Sequence, residues 1–231
     1  MKTINCPKSW ADVRLEDYIQ FHKQLKPYFN TDKYTEKAVL FATFNFTDIT
    51  EEEYRDLPES TFSEIEKQML ELLNSTKMPL IKSFESDKTK YGFIPNLDDM
   101  SYGEYLDLVS YTSKDIWENI TTVMAILYRP ITKSLLDTYS IEKYKGTTSE
   151  VTNLFLNILT MDIVFGAISF FLDLQIDLMK GTLTYSMQTL MKSKDPRIIA
   201  ALEDLQKNGT DTTQLQHLQE MMLQNLTQLQ S

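Results

Sequence analysis

The sequence predicts a mainly α-helical fold: a helical bundle with one long central helix, a small β-hairpin near residues 80–95 and a C-terminal amphipathic helix. Apolar residues recur at helical spacing in most segments of the 231-residue chain. The six glycines are too few for a glycine-turned β-barrel, whereas eleven methionines, twelve Phe and twelve Tyr supply large side chains for helix packing. We expect a helical domain over 1–195, with the hairpin as an insertion, and a Gln-rich helical extension over 196–231.

Four amphipathic helical segments fill the first 75 residues. Thr50 followed by Glu53, and Thr61 followed by Glu64, have the spacing of a capping box, in which the two side chains satisfy the first N–H groups of a helix. The segments are "SWADVRLEDYIQFHKQL", "TDKYTEKAVLFATFNF", "TDITEEEYRDLPES" and "TFSEIEKQMLELLN".

The middle of the chain predicts one hairpin and then further helices. The short runs "LIKSF" and "YGFIP" flank the polar "ESDKTK", a pattern typical of two strands joined by a turn. "SKDIWENITTVMAILYRPI" predicts a helix that ends at Pro130, because proline lacks the N–H group that a helix needs. "TYSIEKYKGTTSE" predicts a connection, after which Thr148 or Ser149 caps a helix through Leu159.

A short pattern near the N-terminus is repeated near residue 100. Each copy has an apolar anchor, a short extended lead-in and a helix with an acidic residue before a tyrosine: Asp17 and Tyr18 in the first copy, Glu104 and Tyr105 in the second. The repeat is either a trace of duplication or one common way of starting a helix, used twice.

Residues 160–192 are the most apolar and most regular part of the chain, and three interpretations compete for them: a membrane span, a catalytic helix and the spine of a bundle. A membrane span needs about 20 uncharged residues, but no uncharged run, 151–161 included, exceeds eleven residues, and Asp162, Asp173 and Asp177 interrupt the apolar residues after 161. We therefore expect the spine of a bundle, with an apolar stripe on one side and a narrow polar strip on the other. The stripe is Met161, Phe165, Ile168, Leu172, Ile176, Met179, Leu183, Met187 and Leu190; the strip is Asp162, Gly166, Ser169, Asp173, Asp177, Lys180, Thr184 and Gln188.

The Gln-rich C-terminus carries one narrow apolar stripe, which is the candidate partner-binding site. Such a helix has little to bury within itself, so it folds back on the bundle, pairs with a partner helix or a copy of itself, or frays. The stripe consists of Leu215, Leu218, Met222, Leu226 and Leu229.

No catalytic, cofactor-binding or metal-binding residue is predicted. The chain lacks the motifs of nucleotide-binding loops, nucleophile elbows, zinc proteases and CxxC sites. His22 and His217 stand in no ligand pattern and are expected at the surface, and Cys6 has no partner base in the sequence. Asp173 and Asp177, one helical turn apart, are interpreted as a solvated polar strip rather than a metal or acid/base pair.

Charge and targeting signals exclude several classes of partner. A net charge of −10 disfavours binding to nucleic acid and to anionic membranes. Residues 48–71 hold nine acids against Arg55 and Lys67, which indicates either a solvated helical face or a docking patch for a basic partner. The N-terminal "MKTINCPKSW" has no apolar core of the kind that signal peptides carry.

Three stretches carry a resemblance: "SWADVRLEDYIQFHKQL", "MSYGEYLDL" and "ILYRPI…YSIEKYKGT…FGAISFFLDL", scattered over residues 9–178 and absent from the Gln-rich end. They resemble small helical proteins encoded among the tail and baseplate genes of tailed bacteriophages of Bacteroidetes, including crAss-like phages. Most matching positions are of packing or turn type, and Arg129 is expected to satisfy helix-end carbonyls or an acid. The matching positions are Trp10, Val13, Leu15, Tyr18, Tyr105, Leu108, Tyr128, Arg129, Pro130, Tyr144, Gly146, Phe170 and Phe171.

The resemblance implies a non-enzymatic phage protein that binds other phage proteins during tail, baseplate or virion assembly, as an assembly factor or tail assembly chaperone. Its partners would be tail, baseplate or portal-proximal proteins, and it could also form a homo-oligomer, with no nucleic acid, membrane or cofactor. It would act in the host cytoplasm during assembly and could remain in the virion. Two alternatives stay open: a permanent virion component (ring, adaptor or packaged cargo protein), and an uncharacterised helical enzyme or metal protein that uses Asp173 and Asp177.

Overall fold

The computed structural model describes residues 4–75, 78–96, 99–112, 115–135 and 138–171. Within these ranges lie eight α-helices: α1 (Leu15–Leu25), α2 (Tyr34–Phe46), α3 (Glu51–Arg55), α4 (Glu59–Asn74), α5 (Tyr102–Thr112), α6 (Ile120–Leu127), α7 (Ser149–Ile158) and α8 (161–171). Four strands accompany them: β1 (Ser83–Ser86), β2 (Thr89–Phe93), β3 (Tyr128–Leu135) and β4 (Thr138–Ile141).

The predicted fold class, a mainly helical bundle with one small β-hairpin, is wrong. The strands form one four-stranded antiparallel sheet in the order β1-β2-β3-β4, so the fold is mixed α and β. The strands β1 and β2 do pair near residues 80–95, through a turn in which Asp87 and Lys88 both have positive φ angles, of 47° and 65°. They are half of a sheet, however, because β2 continues the pairing with β3, where Phe93 lies opposite Tyr128.

The two missed strands come from segments that were predicted as a helix end and a connection. The helix α6 ends at Leu127 and the chain passes directly into β3, with Pro130 inside the strand. The strand β4 has only four residues, of which Tyr139 and Ile141 are half-buried and the two between and before them are exposed. Four residues are too few for the alternating pattern to be distinguished from a polar connection.

Tyrosine side chains of the sheet form hydrogen bonds to the segment that precedes β1. The Tyr139 ring covers Gly92, where a Cβ atom would lie 2.4 Å from the ring. The Tyr139 hydroxyl lies 2.9 Å from the Lys82 carbonyl and 2.8 Å from the Phe93 carbonyl and donates its proton to this pair. Tyr128 donates from its hydroxyl to the Ile81 carbonyl at 2.6 Å. These hydrogen bonds therefore fix residues 81 and 82, which precede β1, against β3 and β4.

Within the described residues, the core consists of two apolar clusters that meet at α1. The larger contains Leu15 at the start of α1, with buried residues of β2, α5, α6, α7 and α8. The smaller contains Phe21 and Leu25 from the end of α1, with buried residues of α2 and α4. Tyr18, between them on α1, packs against both. The start of α1 therefore belongs to the larger cluster and its end to the smaller one, so this helix connects the two clusters.

The predicted helix beginning at Met161 is present as far as residue 171, and the rest of its proposed length lies outside the described residues. Met161 is buried, while Phe165 and Ile168 are half-buried against the larger cluster. The predicted polar strip is wrong at Gly166, which is buried because the backbone of Pro79 packs directly on it. At this point the helix uses glycine for close approach and not for contact with water.

We expect Gly166→Ala to lower the free energy of unfolding by about 1–3 kcal/mol, the usual cost of overpacking. A Cβ atom at this position would lie 2.4 Å from the Pro79 carbonyl oxygen, which belongs to the backbone and cannot rotate away. Denaturant unfolding measures the change. Gly103→Ala in α5 is the matched control, because nothing lies within 4 Å of its added Cβ. The prediction fails if the two variants unfold alike.

Candidate interaction surface

A buried ion pair joins α5 to β3. The Glu104 carboxylate, 5% exposed, lies in the first turn of α5 and pairs through Oε1 with Nη1 of Arg129. Its other oxygen, Oε2, accepts a hydrogen bond of 2.7 Å from the N–H group of Ser101, whose hydroxyl in turn accepts from the N–H of Glu104 at 3.3 Å. This is a capping box whose acid also forms an ion pair. Arg129 was expected to pair either with helix-end carbonyls or with an acid, and in the structure it pairs with the acid Glu104.

Electrostatics show that this carboxylate is held ionised. Burial by itself would raise the pKa of Glu104, but the hydrogen bonds from Ser101 and the Arg129 guanidinium outweigh burial, so the pKa lies below its usual range. Both carboxylate oxygens are engaged by partners of the protein itself. The arrangement favours a structural role over proton transfer, because a general base needs a raised pKa and access to a substrate.

The second acid of α5 is also turned toward the protein. The Tyr144 hydroxyl donates to Oδ2 of Asp107 at 2.6 Å, and the Tyr144 ring lies 5.8 Å from Cζ of Arg129, within the range of a cation–π contact. Burial and the hydrogen bond to the Asp107 carboxylate raise the pKa of Tyr144. The ion pair and the Tyr144 hydrogen bond together hold α5 in place. They engage both acidic side chains of the helix, Glu104 and Asp107.

The outward face of α5 is consequently apolar and uncharged. Four large side chains on it are exposed to solvent: Tyr102 by 76%, Tyr105 by 54%, Leu106 by 47% and Val109 by 36%. Their spacing of three, four and seven residues places them in one line along the helix. We call this line the α5 stripe. An exposed apolar line of this kind is typical of a surface that contacts another protein.

Sequence reasoning missed the α5 stripe because the helix is apolar on both sides. Most positions that carry the resemblance were interpreted as packing or turn positions; of these positions Leu108 is fully buried, whereas Tyr105 is exposed. The available signal was that "YGEYLDLVSYT" carries more apolar residues than one buried face can use. That excess indicates a second apolar face.

The residues predicted to bind a partner lie outside the described part of the chain. This holds for Leu215, Leu218, Met222, Leu226 and Leu229, and also for Asp173, Asp177 and His217. Among the described residues, no three His, Cys, Asp or Glu side chains come together as a metal site. No helix in the described ranges is both long and apolar enough to cross a membrane.

His22 was expected at the surface, and this prediction is wrong. The side chain is only 9% exposed and lies between two aromatic rings, with centroid distances of 5.5 Å to Phe29 and 5.4 Å to Trp117. Burial lowers the pKa of His22, although the nearby Asp115 carboxylate acts in the opposite direction. Trp117 comes from a segment almost a hundred residues away, so the local pattern around His22 could not reveal the burial.

The acidic region of residues 48–71 forms an exposed surface on α3, α4 and the loops beside them. All nine of its acids are solvent-exposed. Arg55 lies 3.7 Å from Glu51 and Lys67 lies 3.9 Å from Glu71, and such exposed pairs contribute little to stability. The charge of this region therefore acts mainly on what approaches the protein from solvent.

The chain was compared with protein-family models, with curated proteins and with solved structures, and none of the three comparisons finds a match.

Proposed function

We propose that this protein is a non-enzymatic phage protein that binds other phage proteins during tail, baseplate or virion assembly, as an assembly factor or chaperone. The observation that carries the proposal is the α5 stripe. It is an uncharged apolar surface on a chain of net charge −10. Exposing such a surface costs solubility, and proteins that keep one commonly use it to bind a partner.

The polar groups of the described residues support binding over catalysis. Glu104, the one carboxylate that is fully buried there, is shared between Ser101 and Arg129. Cys6 is half-buried, and burial followed by the charges of Glu64 and Asp48 raises the pKa of its thiol, which keeps the thiol protonated and weakly nucleophilic. Glu104 is thus engaged in holding α5 in place, and the outer surface of α5 is the distinctive feature that remains.

In this function the protein shields or positions a partner until the partner is incorporated. The α5 stripe supplies a fixed apolar contact, since the network of Glu104, Arg129 and Tyr144 holds the helix from behind. The predicted C-terminal stripe from Leu215 to Leu229 would supply a second contact. The acidic surface of α3 and α4 would repel partners of the same charge and favour basic ones.

The test is affinity purification of the tagged chain from phage-infected cells, followed by mass spectrometry. We expect phage structural proteins to co-purify with the unaltered chain and to be lost with Tyr105→Asp/Leu106→Asp, because two carboxylates in the stripe would have to be desolvated on binding. Leu135→Asp is the matched control: Leu135 is 75% exposed but is the last residue of β3, outside the stripe.

Two results would contradict the proposal. One is recovery of host proteins alone with the unaltered chain. The other is recovery of the same phage proteins with Tyr105→Asp/Leu106→Asp as with Leu135→Asp. Circular dichroism of each variant checks that helicity is unchanged, as expected for substitutions at exposed positions.

A further inference from the structure

We propose that the partner segment that binds the α5 stripe is a helix that presents aromatic side chains to Tyr105 and carries a basic residue beside Asp107. This partner chemistry rests on the proposed function, which gives the stripe to another phage protein, and it specifies what that protein contributes to the contact. Two features of the structure carry it: the side chains that cover the equivalent face of α1, and the charge at the rim of the stripe.

The repeated pattern gives every position of the α5 stripe a counterpart on α1, because the two helices begin at matching residues. One side of the helix is buried in both copies, at Phe21 in α1 and at Leu108 in α5. The side that carries the stripe differs: its positions are buried or half-buried in α1 and exposed in α5. The counterparts of Tyr102, Tyr105, Leu106 and Val109 are Leu15, Tyr18, Ile19 and His22, in that order.

Aromatic side chains from other elements cover this face of α1. The ring of Tyr18, the counterpart of Tyr105, contacts rings of three other elements at centroid distances of 4.8, 5.3 and 6.4 Å: Trp117, Phe165 and Phe46. Two of these rings belong to helices, since Phe165 lies in α8 and Phe46 ends α2. The same line of side chains on α5 therefore suits a partner helix with aromatic residues, whose rings pack edge-on or offset against a tyrosine.

The rim of the α5 stripe is acidic. Asp107, half-buried at the rim, accepts a hydrogen bond from the Tyr144 hydroxyl, a neutral donor that leaves the carboxylate charge uncompensated. Asp99, exposed and three residues before Tyr102, likewise accepts at 3.1 Å from a neutral donor, the Asn96 amide. A basic residue on the partner would be attracted to this rim, whereas an acidic one would be repelled.

The first test changes the ring at position 105 and measures the dissociation constant of the phage protein recovered in the co-purification experiment. Tyr105→Phe keeps the ring and should bind like the unaltered chain. Tyr105→Leu keeps apolar area but loses the ring, so binding should weaken about two- to tenfold. Tyr34→Leu is the matched control, because Tyr34 is also an exposed tyrosine, 44% accessible, but lies on α2. It should bind like the unaltered chain.

The second test removes the charge at the rim. Asp107→Asn keeps a side-chain oxygen that can accept from Tyr144, so the helix stays held, but it lacks the carboxylate. We expect binding about two- to fivefold weaker, as for the loss of one exposed ion pair, and a smaller response to raising NaCl from about 0.1 M to 0.5 M. Glu66→Gln is the matched control, since it removes one exposed carboxylate from α4. It should match the unaltered chain in both measurements.

The third test identifies the partner segment by photo-cross-linking in infected cells, with p-benzoylphenylalanine in place of Val109, which is 36% exposed. Mass spectrometry of the cross-linked peptide should find aromatic and basic residues within about one helical turn of each other. Replacing the aromatic residue of the partner by leucine should then abolish the difference between Tyr105→Phe and Tyr105→Leu, because a double-mutant cycle isolates the contact between the two rings.

Equal affinities of Tyr105→Phe and Tyr105→Leu would overturn the aromatic contact, as would a cross-linked segment without an aromatic residue or a cross-link to a second copy of this chain. Binding by Asp107→Asn as tight as that by Glu66→Gln, or tighter, would overturn the basic contact. A phage protein is still recovered in the affinity experiments, so the proposed function survives these outcomes. Recovery of no phage protein by the unaltered chain would overturn the proposed function and this partner chemistry with it.

Discussion

Replacing Arg129 by methionine is expected to lower the free energy of unfolding by about 3–5 kcal/mol, the usual cost of breaking a buried ion pair on one side. The substitution leaves the Glu104 carboxylate buried, with Ser101 as its remaining hydrogen-bond donor. It also removes the guanidinium that the Tyr144 ring faces. Denaturant unfolding at neutral pH measures the loss.

The double variant Glu104→Gln/Arg129→Met should recover much of that stability. Arg129 already has a buried Nε atom without a hydrogen-bond partner, so the native pair carries a desolvation cost that the double variant removes. Arg14→Met is the matched single control, because Arg14 forms an exposed pair with Asp17 at 3.0 Å in the equivalent part of the repeated pattern. It should cost no more than about 1 kcal/mol. Equal losses for Arg129→Met and Arg14→Met would contradict the prediction.

The dependence on pH provides an independent check. The folded-state pKa of Glu104 lies below its usual value, so the ionised carboxylate contributes stability above the pKa of an unfolded glutamate, and this contribution is lost as pH falls through the folded-state value. Without Arg129 the buried carboxylate prefers to be protonated. The destabilisation caused by Arg129→Met should therefore shrink as the pH is lowered into the range where Glu104 takes up a proton. A constant difference across that range would show that the lost charge is not the cause.

Local signals predicted elements that depend on neighbouring residues. The Thr50–Glu53 capping box is present, with hydrogen bonds of 3.2 Å and 2.9 Å in the two directions, because both partners lie within one helical turn. The second predicted capping box is wrong, since α4 begins at Glu59 and Thr61 lies inside it. Pro58 precedes the helix with φ of −59°, which suits a helix start and allows α4 to begin earlier than the threonine signal suggested.

Features that depend on distant residues were not predictable in this way. In both copies of the repeated pattern the helix begins at the equivalent position: α1 begins at Leu15 and α5 at the matching Tyr102. Leu15 is nevertheless fully buried and Tyr102 is largely exposed. Similar local sequence therefore determined where each helix begins, while the packing of distant segments determined which face is covered. The first part of β3, Tyr128–Pro130, was missed for the same reason, since its partner β2 lies more than thirty residues earlier in the chain.

The candidate site shows this limit most clearly. The exposure of Tyr105 and Leu106 follows from the opposite side of α5, where Glu104 pairs with Arg129 from β3. An acid before a tyrosine was visible in the sequence, but the direction of the acid was set by an arginine 25 residues away. A surface stripe of this kind becomes evident only when the inward partners of its helix are known.

Trp10→Ala is expected to be the second strongly destabilising substitution, with a loss of about 3–5 kcal/mol, the usual cost of removing a large buried aromatic side chain. Trp10 is 2% exposed, and its indole makes edge contacts with Tyr18, Phe46 and Phe165 at centroid distances of 5.8, 6.1 and 4.9 Å. Its Nε1–H donates to the Ser75 carbonyl at 2.7 Å, which ties the residue after α4 to the N-terminal segment. One side chain thus joins α1, α2, α8 and the end of α4.

Trp117→Ala provides the comparison, because Trp117 is half-buried and also contacts Tyr18 and Phe165 but makes its contacts nearer the surface. It should cost clearly less than Trp10→Ala in the same denaturant experiment. Trp10→Phe separates the two contributions of the indole: it keeps most of the apolar contact and removes the donor to Ser75, so its loss should be smaller than that of Trp10→Ala. If Trp10→Ala costs no more than Trp117→Ala, then Trp10 is not the residue that joins these helices, and the larger core cluster must be held together by the aromatic residues around the sheet.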